Sequence, residues 1–331
     1  MKLIVAILCF CLVGPAAWAI DPTVYTDDSS VIGGGARPLG MGRAFVAIVD
    51  DADAPLINPA GNASLKTPQL ITMFTNLMGE IYYAEYCTAI PTKLGVIGAA
   101  YVNTGTSHVE IDLADDLIVY ADYHDTLFIL SYSSPLARFV NIGRNVFVGL
   151  NLKYFSRGWT GGYSNTATGL SADFGVKYVV TPYLSLGFNR QNFLPVDFGG
   201  VVRSTSGAEE SIAGLYKVGV AIKPFHFKRK LLLAYDVDLP SQSGRPVTSH
   251  IGAEYKATQA FMVRAGFDQS IDAASATRVT WNPSVGLSIT MKRFRLDYAY
   301  HAYYNDPNLA TYYLSLSFMA SDENILEGEV Y

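Results

Sequence analysis

From Asn145 onward the chain alternates oily and polar residues with a period of two, in runs near ten residues long. In NVFVGLNLKYF, Val146, Val148, Leu150, Leu152 and Tyr154 share one face, while Gly149, Asn151 and Lys153 share the other. Successive side chains of a β-strand point to opposite sides, so this spacing is a strand with one apolar and one polar stripe. Eight further segments repeat it. Their apolar stripes centre on Phe174, Val218, Tyr235, Ala253, Val263, Leu287, Leu296 and Leu314. Their polar stripes carry Asp173, Lys177, Lys217, Asp236, Glu254, Arg264, Arg295, Asp297 and His301. Thirteen Lys, Arg, Asp and Glu residues fall in the nine segments, all of them on the polar stripe.

A soluble sandwich also alternates, but its strands average ~5–6 residues, whereas ~10 is what a tilted strand needs to cross a bilayer. Mean hydropathy is +0.20, yet past residue 20 no apolar run approaches the ~18 residues of a membrane helix. Weaker segments near Leu70–Asn76, Ile81–Ile90, Leu94–Asn103, Thr126–Tyr132 and Tyr183–Arg190 bring the total to about fourteen strands, an even number. Short connections at Pro91–Lys93, Thr181–Pro182, Ala257–Gln259 and Lys292–Arg293 alternate with longer links at Thr104–Asp125, Ser156–Thr168, Gln191–Ile212, Asp238–Val247 and Asp268–Pro283. That rhythm is the one by which outer-membrane barrels place tight turns inside and loops outside. The expected class is therefore all-β, a transmembrane antiparallel up-and-down β-barrel. Its apolar stripe would face outer-membrane lipid and its charged stripe the lumen.

The first nineteen residues read as a cleavable export signal: Lys2, an apolar core from Leu3 to Val13, and Ala17-Trp18-Ala19 before Ile20. Beyond them Cys87 is the one cysteine, so no intramolecular disulfide is expected. A net charge of -5 argues against nucleic acid as a partner.

Residues 20–66 are the remaining long segment, and barrel strands occupy 67–319, with a tail at 320–331. Fourteen strands at ~4.8 Å spacing and ~40° tilt enclose a cylinder roughly 28 Å across, wider than wall side chains fill. The opening segment, with GMGRAFVAIVDDADAPLINPAGNA at Gly40–Ala63, is rich in glycine and interrupted by Pro55 and Pro59, so it makes turns rather than ladders. It is the candidate filling. Arg37, Arg43, Asp50, Asp51 and Asp53 are expected to pair with charges on a polar lumen wall.

On these residues, followed by an even-stranded barrel, the chain resembles the FadL-like outer-membrane proteins, and among them the PorV/PorQ group most. The resemblance implies that Asn58, Pro59 and Ala60 belong to a hatch plugging a fourteen-stranded barrel. It implies passage of apolar solutes in transporting members, and secretion or surface attachment of exported proteins in the PorV-type members. Hence two functions are expected, a hatch-gated transporter of small hydrophobic solutes or a component that docks a secreted protein through its outer loops. The gating residues would be Asn58, Pro59, Ala60, Arg43, Asp50 and Asp51. The acidic residues after Phe318 form a periplasmic tail or hold a further strand ending at Tyr331.

Other chemistries find no footing. Gly40-x-Gly42 lacks the third glycine of a dinucleotide site, Phe45 standing there. The Asp50–Asp53 cluster lacks the loop glycine and terminal Glu of a calcium loop. His250 and His301 read as solvated lumen lining, ahead of the alternative that they bind a metal or a carboxylate there. No nucleophile-base spacing singles out a pair, so neither an enzyme nor a cofactor nor a metal is expected.

Overall fold

The computed structural model describes residues 25–320 apart from 27, 78, 114–116, 141–144, 228, 273–274 and 305. The expected signal at 1–19 and residues 321–331 of the tail lie outside the described residues.

The alternating segments form β1 (Gln69–Leu77), β2 (Ile81–Thr92), β3 (Gly95–Leu113), β4 (Leu117–Pro135), β5 (Val146–Gly161), β6 (Asn165–Thr181) and β7 (Leu184–Gln191). They continue as β8 (Leu215–Ile222), β9 (Leu231–Pro240), β10 (Thr248–Lys256), β11 (Phe261–Asp272), β12 (Ser275–Met291), β13 (Phe294–Tyr303) and β14 (Asp306–Met319). Each strand pairs antiparallel with the next. β14 closes on β1, Leu314 opposite Phe74 and Met319 opposite Gln69, which makes a closed barrel of fourteen strands. Closure leaves no unpaired edge, the condition for spanning a bilayer with sheet.

The pleat sorts the stripes as alternation dictates. On β5, Leu150 and Leu152 are 46% and 54% exposed, whereas Asn151 and Lys153 between them are 3% and 0% exposed. Oily side chains outside and ionised ones inside invert a soluble protein and suit a lipid surround. Outward rings also touch across strands, Phe74 to Tyr86 at 5.4 Å and Tyr101 to Phe128 at 4.8 Å.

Two expectations need correction. Most of Thr104–Asp125, Ser156–Thr168 and Asp268–Pro283 is strand rather than loop, because β3–β4, β5–β6 and β11–β12 pair on through these segments. Polar alternating residues above the membrane still satisfy their backbone by pairing. At 3.3–3.4 Å per residue and ~40° tilt, the nineteen residues each of β3 and β4 rise roughly 45–50 Å, well past a ~25 Å apolar band. Gln191–Ile212 likewise contains a hairpin, Val201–Ser204 with Glu209–Ile212, that pairs with β6 and receives Tyr25–Thr26 alongside.

The second correction concerns the lumen. Its wall is polar and charged on β5–β13 but largely apolar on β1–β4, where Ile71, Met73, Tyr83, Cys87, Val102, Leu127 and Ile129 are buried inward. These strands alternate poorly because both of their faces meet apolar partners, lipid outside and the inner segment within.

Candidate functional site

The segment before β1 packs inside the barrel. It is built from short pieces: a 3-10 turn at Ser29–Ile32, helix α1 (Ala36–Leu39), helix α2 (Ala54–Ile57) and a 3-10 turn at Pro59–Ser64. Local chemistry starts each turn. Asp28 accepts the Ser30 N–H at 2.9 Å, and Asn58 Oδ1 accepts the Ala60 N–H at 3.2 Å with Pro59 following it, where a missing N–H costs nothing. Leu39, Met41, Phe45, Val49 and Leu56 join the apolar cluster that includes Ile71, Met73 and Leu127 of the wall.

Close approach on the opposite side depends on glycine. Gly149 faces Gly175 across β5–β6, Gly187 faces Gly219 across β7–β8, and Gly252 faces Gly266 across β10–β11. A Cβ at Gly149, Gly187, Gly252 or Gly266 would lie under 3.0 Å from backbone of Pro59, Val46, Met41 or Gly42, respectively. Only a bare backbone lets wall and inner segment meet there.

Wall side chains then bond the inner segment's backbone. Asp236 Oδ2 accepts the N–H groups of Phe45 and Val46 at 2.6 and 2.8 Å. Asn151 donates to the Pro55 carbonyl at 2.7 Å, Asn189 to Ile57 at 2.6 Å, and Lys177 Nζ to Val49 at 2.6 Å. On β2, Glu85 accepts the Gly35 N–H at 2.9 Å. Asn58 ties the segment to itself and to β6, its Nδ2 donating to Val46 and Val176 carbonyls at 3.0 and 3.1 Å.

Charges add two networks. Arg37 Nε meets Glu254 at 3.0 Å and its Nη1 meets Asp50 at 2.6 Å; Arg264 joins Glu254 at 2.6 Å; Arg295 bridges Asp51 at 2.9 Å and Asp297 at 2.7 Å. Separately, Lys153 Nζ lies 2.6 Å from Asp28 and 2.9 Å from Asp173, all three buried. Burial alone would raise the Asp28 carboxyl, but Lys153 and the bonds from Ser30 and Asn192 hold it down at about 2.

The expected residues therefore divide. Asp51, Glu254, Arg264, Arg295 and Asp297 converge in one network with Arg37, to which Asp50 is bound at the solvent edge; Lys177 and Asp236 bond the segment's backbone, and Asn58, Pro59 and Ala60 pack on β5 and β6. Arg43, at φ 63°, lies within electrostatic reach of Asp268. Lys217 and His301 pair with other wall residues, Lys217 with Asp238 at 3.3 Å and His301 with Asp268 at 2.5 Å. The two histidines are buried beside carboxylates, His250 3.4 Å from Asp238, and are not solvated lining. Asp53 departs from its expected pairing: it sits with Glu85 and Cys87 rather than a cation, and burial, with Asp51 and Glu85 close by, pushes its carboxyl well above the usual carboxylate range. These three offer fewer ligands than the four of a structural zinc site, and Glu85 is already engaged by Gly35 and Tyr83. Asp28, Glu85, Asn151, Asn189 and the glycine pairs are contributors that sequence reasoning passed over. Gly149, Gly175 and Gly219 on otherwise charged stripes were the available signal.

Replacing Asn58 by Ala removes three bonds and takes the side-chain donor from the Val46 carbonyl, an expected local cost of about 3 kcal/mol. Amide exchange at Ala60 should quicken by roughly a hundredfold while barrel-strand amides stay protected.

A closed, lipid-facing fourteen-stranded barrel packed with its own N-terminal segment defines a β-barrel of the outer-membrane type. No protein-family model and no curated protein matches the chain. Solved structures do. The CymD monoaromatic hydrocarbon channel is 12% identical, with 88% of this chain and 98% of that one covered at a TM-score of 0.60. The toluene transporter TodX of Pseudomonas putida is 13% identical, covering 87% and 98% at 0.58. A FadL homologue of Pseudomonas aeruginosa is 12% identical, covering 86% and 98% at 0.51. At such identities the likeness is one of fold, and the fold is that of FadL-type barrels.

Proposed function

We propose that this chain carries small hydrophobic solutes across the outer membrane, with residues 28–65 acting as its hatch. The observation that carries the reading is the asymmetry of the seat. Ion pairs and backbone bonds to β5, β6, β7, β9, β10 and β13 hold the hatch on one side, whereas on β1–β4 it meets mainly Ile71, Met73, Val102, Leu127 and Ile129. An apolar solute parting that seam breaks few polar contacts and replaces one oily neighbour by another. Asn58, Pro59 and Ala60, with Arg43, Asp50 and Asp51, are the elements whose small shift would open it. The fold shared with hydrocarbon and toluene carriers supports the same substrate class. Vesicles bearing the protein should take up a small aromatic hydrocarbon faster than empty ones, and Leu127→Lys, placing a charge in the seam, should reduce the excess at least tenfold. Equal uptake with and without the protein would refute the reading.

A second reading, a PorV-like role in secretion or surface attachment, is favoured by the β3–β4 hairpin, which stands above the membrane with Ile118 and Tyr120 about half exposed. Copurification of a stoichiometric exported protein, lost when that hairpin is trimmed, would support it.

A further inference from the structure

The short-turn end of the barrel, which faces the periplasm in proteins of this architecture, opens into a cavity of about 360 Å³, within the size range of small-molecule pockets. Eight Lys and Arg residues line it against three carboxylates, although the whole chain is net negative at -5. The three carboxylates, Asp50, Asp51 and Glu254, are already held by Arg37 and Arg295. Lys223, Arg229, Lys230 and Lys256 have no carboxylate within ion-pair distance among the described residues; Arg229 lies over the Tyr183 ring, 4.9 Å from its centroid.

The register sets these cations against one another. Leu231 of β9 lies opposite Tyr255 of β10, and one step further the Lys256 N–H donates to the Lys230 carbonyl at 2.8 Å, so Lys230 and Lys256 stand opposite each other. Both continue the inward stripe, two residues on from buried Leu232 and Glu254. Like charges directly opposite across a ladder destabilise it. On the neighbouring strand Lys223, two residues past buried Ala221 of β8, adds a third inward cation, within electrostatic reach of Lys177. Three adjacent strands thus bring positive charge to one wall of the cavity, and the field there attracts anions.

A monocarboxylate brings a single charge to this wall. A phosphate monoester brings about −1.5 to −2 at pH 7 and three acceptor oxygens, so one group can answer several cations with charge-assisted hydrogen bonds. Phe147, Val179 and Leu232 line the same cavity and offer apolar contact to a small organic remainder. We propose that the mouth binds a small phosphate monoester from the periplasmic side, its phosphate held by Lys223, Lys230 and Lys256 with Arg229 beside them. The site is distinct from the β1–β4 seam assigned to hydrophobic solutes, and neither assignment depends on the other.

The test uses the full chain in a non-ionic detergent and a phosphate-free buffer. Calorimetric titration with glycerol phosphate should show one saturable site. The double variant Lys230→Ser, Lys256→Ser should weaken it by about tenfold, the loss of two exposed charge contacts, and molar salt should weaken the parent in the same direction. Lys93→Ser, at the exposed β2–β3 turn and outside the cavity, should bind as the parent does. Heat-modifiable gel migration verifies that both variant barrels are folded. Absence of binding to the parent, equal affinity in the double variant, or lactate binding as tightly as glycerol phosphate would overturn the proposal. So would loss of the glycerol phosphate signal in mixed micelles containing phosphatidylglycerol, which assigns the mouth to a lipid head group instead.

Discussion

Gly149→Val and Gly266→Val are expected to unseat the inner segment and turn a filled barrel into an open one. In each case the new side chain would have to occupy space held by backbone, of Pro59 and Ala60 at Gly149, and of Met41 and Gly42 at Gly266. Ordinary overpacking of a core costs about 1–3 kcal/mol because flexible side chains give way. Here the neighbours are turns whose N–H groups are already held, that of Ala60 by Asn58 Oδ1 and that of Gly42 by Ser284 Oγ, so yielding means releasing those bonds as well. The fourteen strands pair without help from those contacts, and barrel closure should survive. Planar-bilayer recordings should show steady channels from either valine variant and none from the parent or from Leu150→Val on the lipid face. Silent, folded glycine variants would mean that the inner segment does not seal the lumen.

Lys153→Met should be the most destabilising single change on the charged side. It strands Asp28 and Asp173, both buried, without their shared cation, a loss of about 3–5 kcal/mol by analogy with other broken buried pairs. Adding Asp28→Asn and Asp173→Asn should recover much of it, because no lone buried charge then remains. Urea unfolding in lipid vesicles measures both effects. The same network sets a pH response. The Asp28 carboxyl is depressed in the folded state to about 2, so its contribution is present above its ordinary value near 4 and is lost as pH falls from there through 2. Lys153→Met should abolish that acid-dependent step, and an unchanged profile would remove Asp28 from its cause.

Much of this architecture was legible in the residues. Lys153, Asp173, Lys177 and Asp236 fall on the inner face because a period of two leaves no other place for them once the opposite stripe is oily. Strand ends were less legible. Val109, Ile111 and Tyr120 alternate with polar neighbours above the membrane as they would within it, so β3 and β4 run on where a loop was expected. The wall of β1–β4 misled for a different reason, since Tyr83, Cys87, Val102 and Leu127 look out of phase until the apolar inner segment is placed against them. Glu85 lay hidden in that same stretch. The roles of Gly149, Gly187 and Gly266 could not be read locally either, because a strand glycine has many causes and the cause here is a chain segment far earlier, Pro59 for Gly149, Val46 for Gly187 and Gly42 for Gly266.

What the sequence determined alone is the periodicity, and with it the sheet, its two unlike faces and the need for a lipid surround. Those follow from backbone geometry and the cost of burying charge, which act within a few neighbouring residues. The tertiary structure decided which strand meets which part of the inner segment, where cations find carboxylates, and that the lumen wall on β1–β4 is oily. Such matches join residues far apart in the chain, and they exist only once closure of the barrel brings both partners to the same point in space.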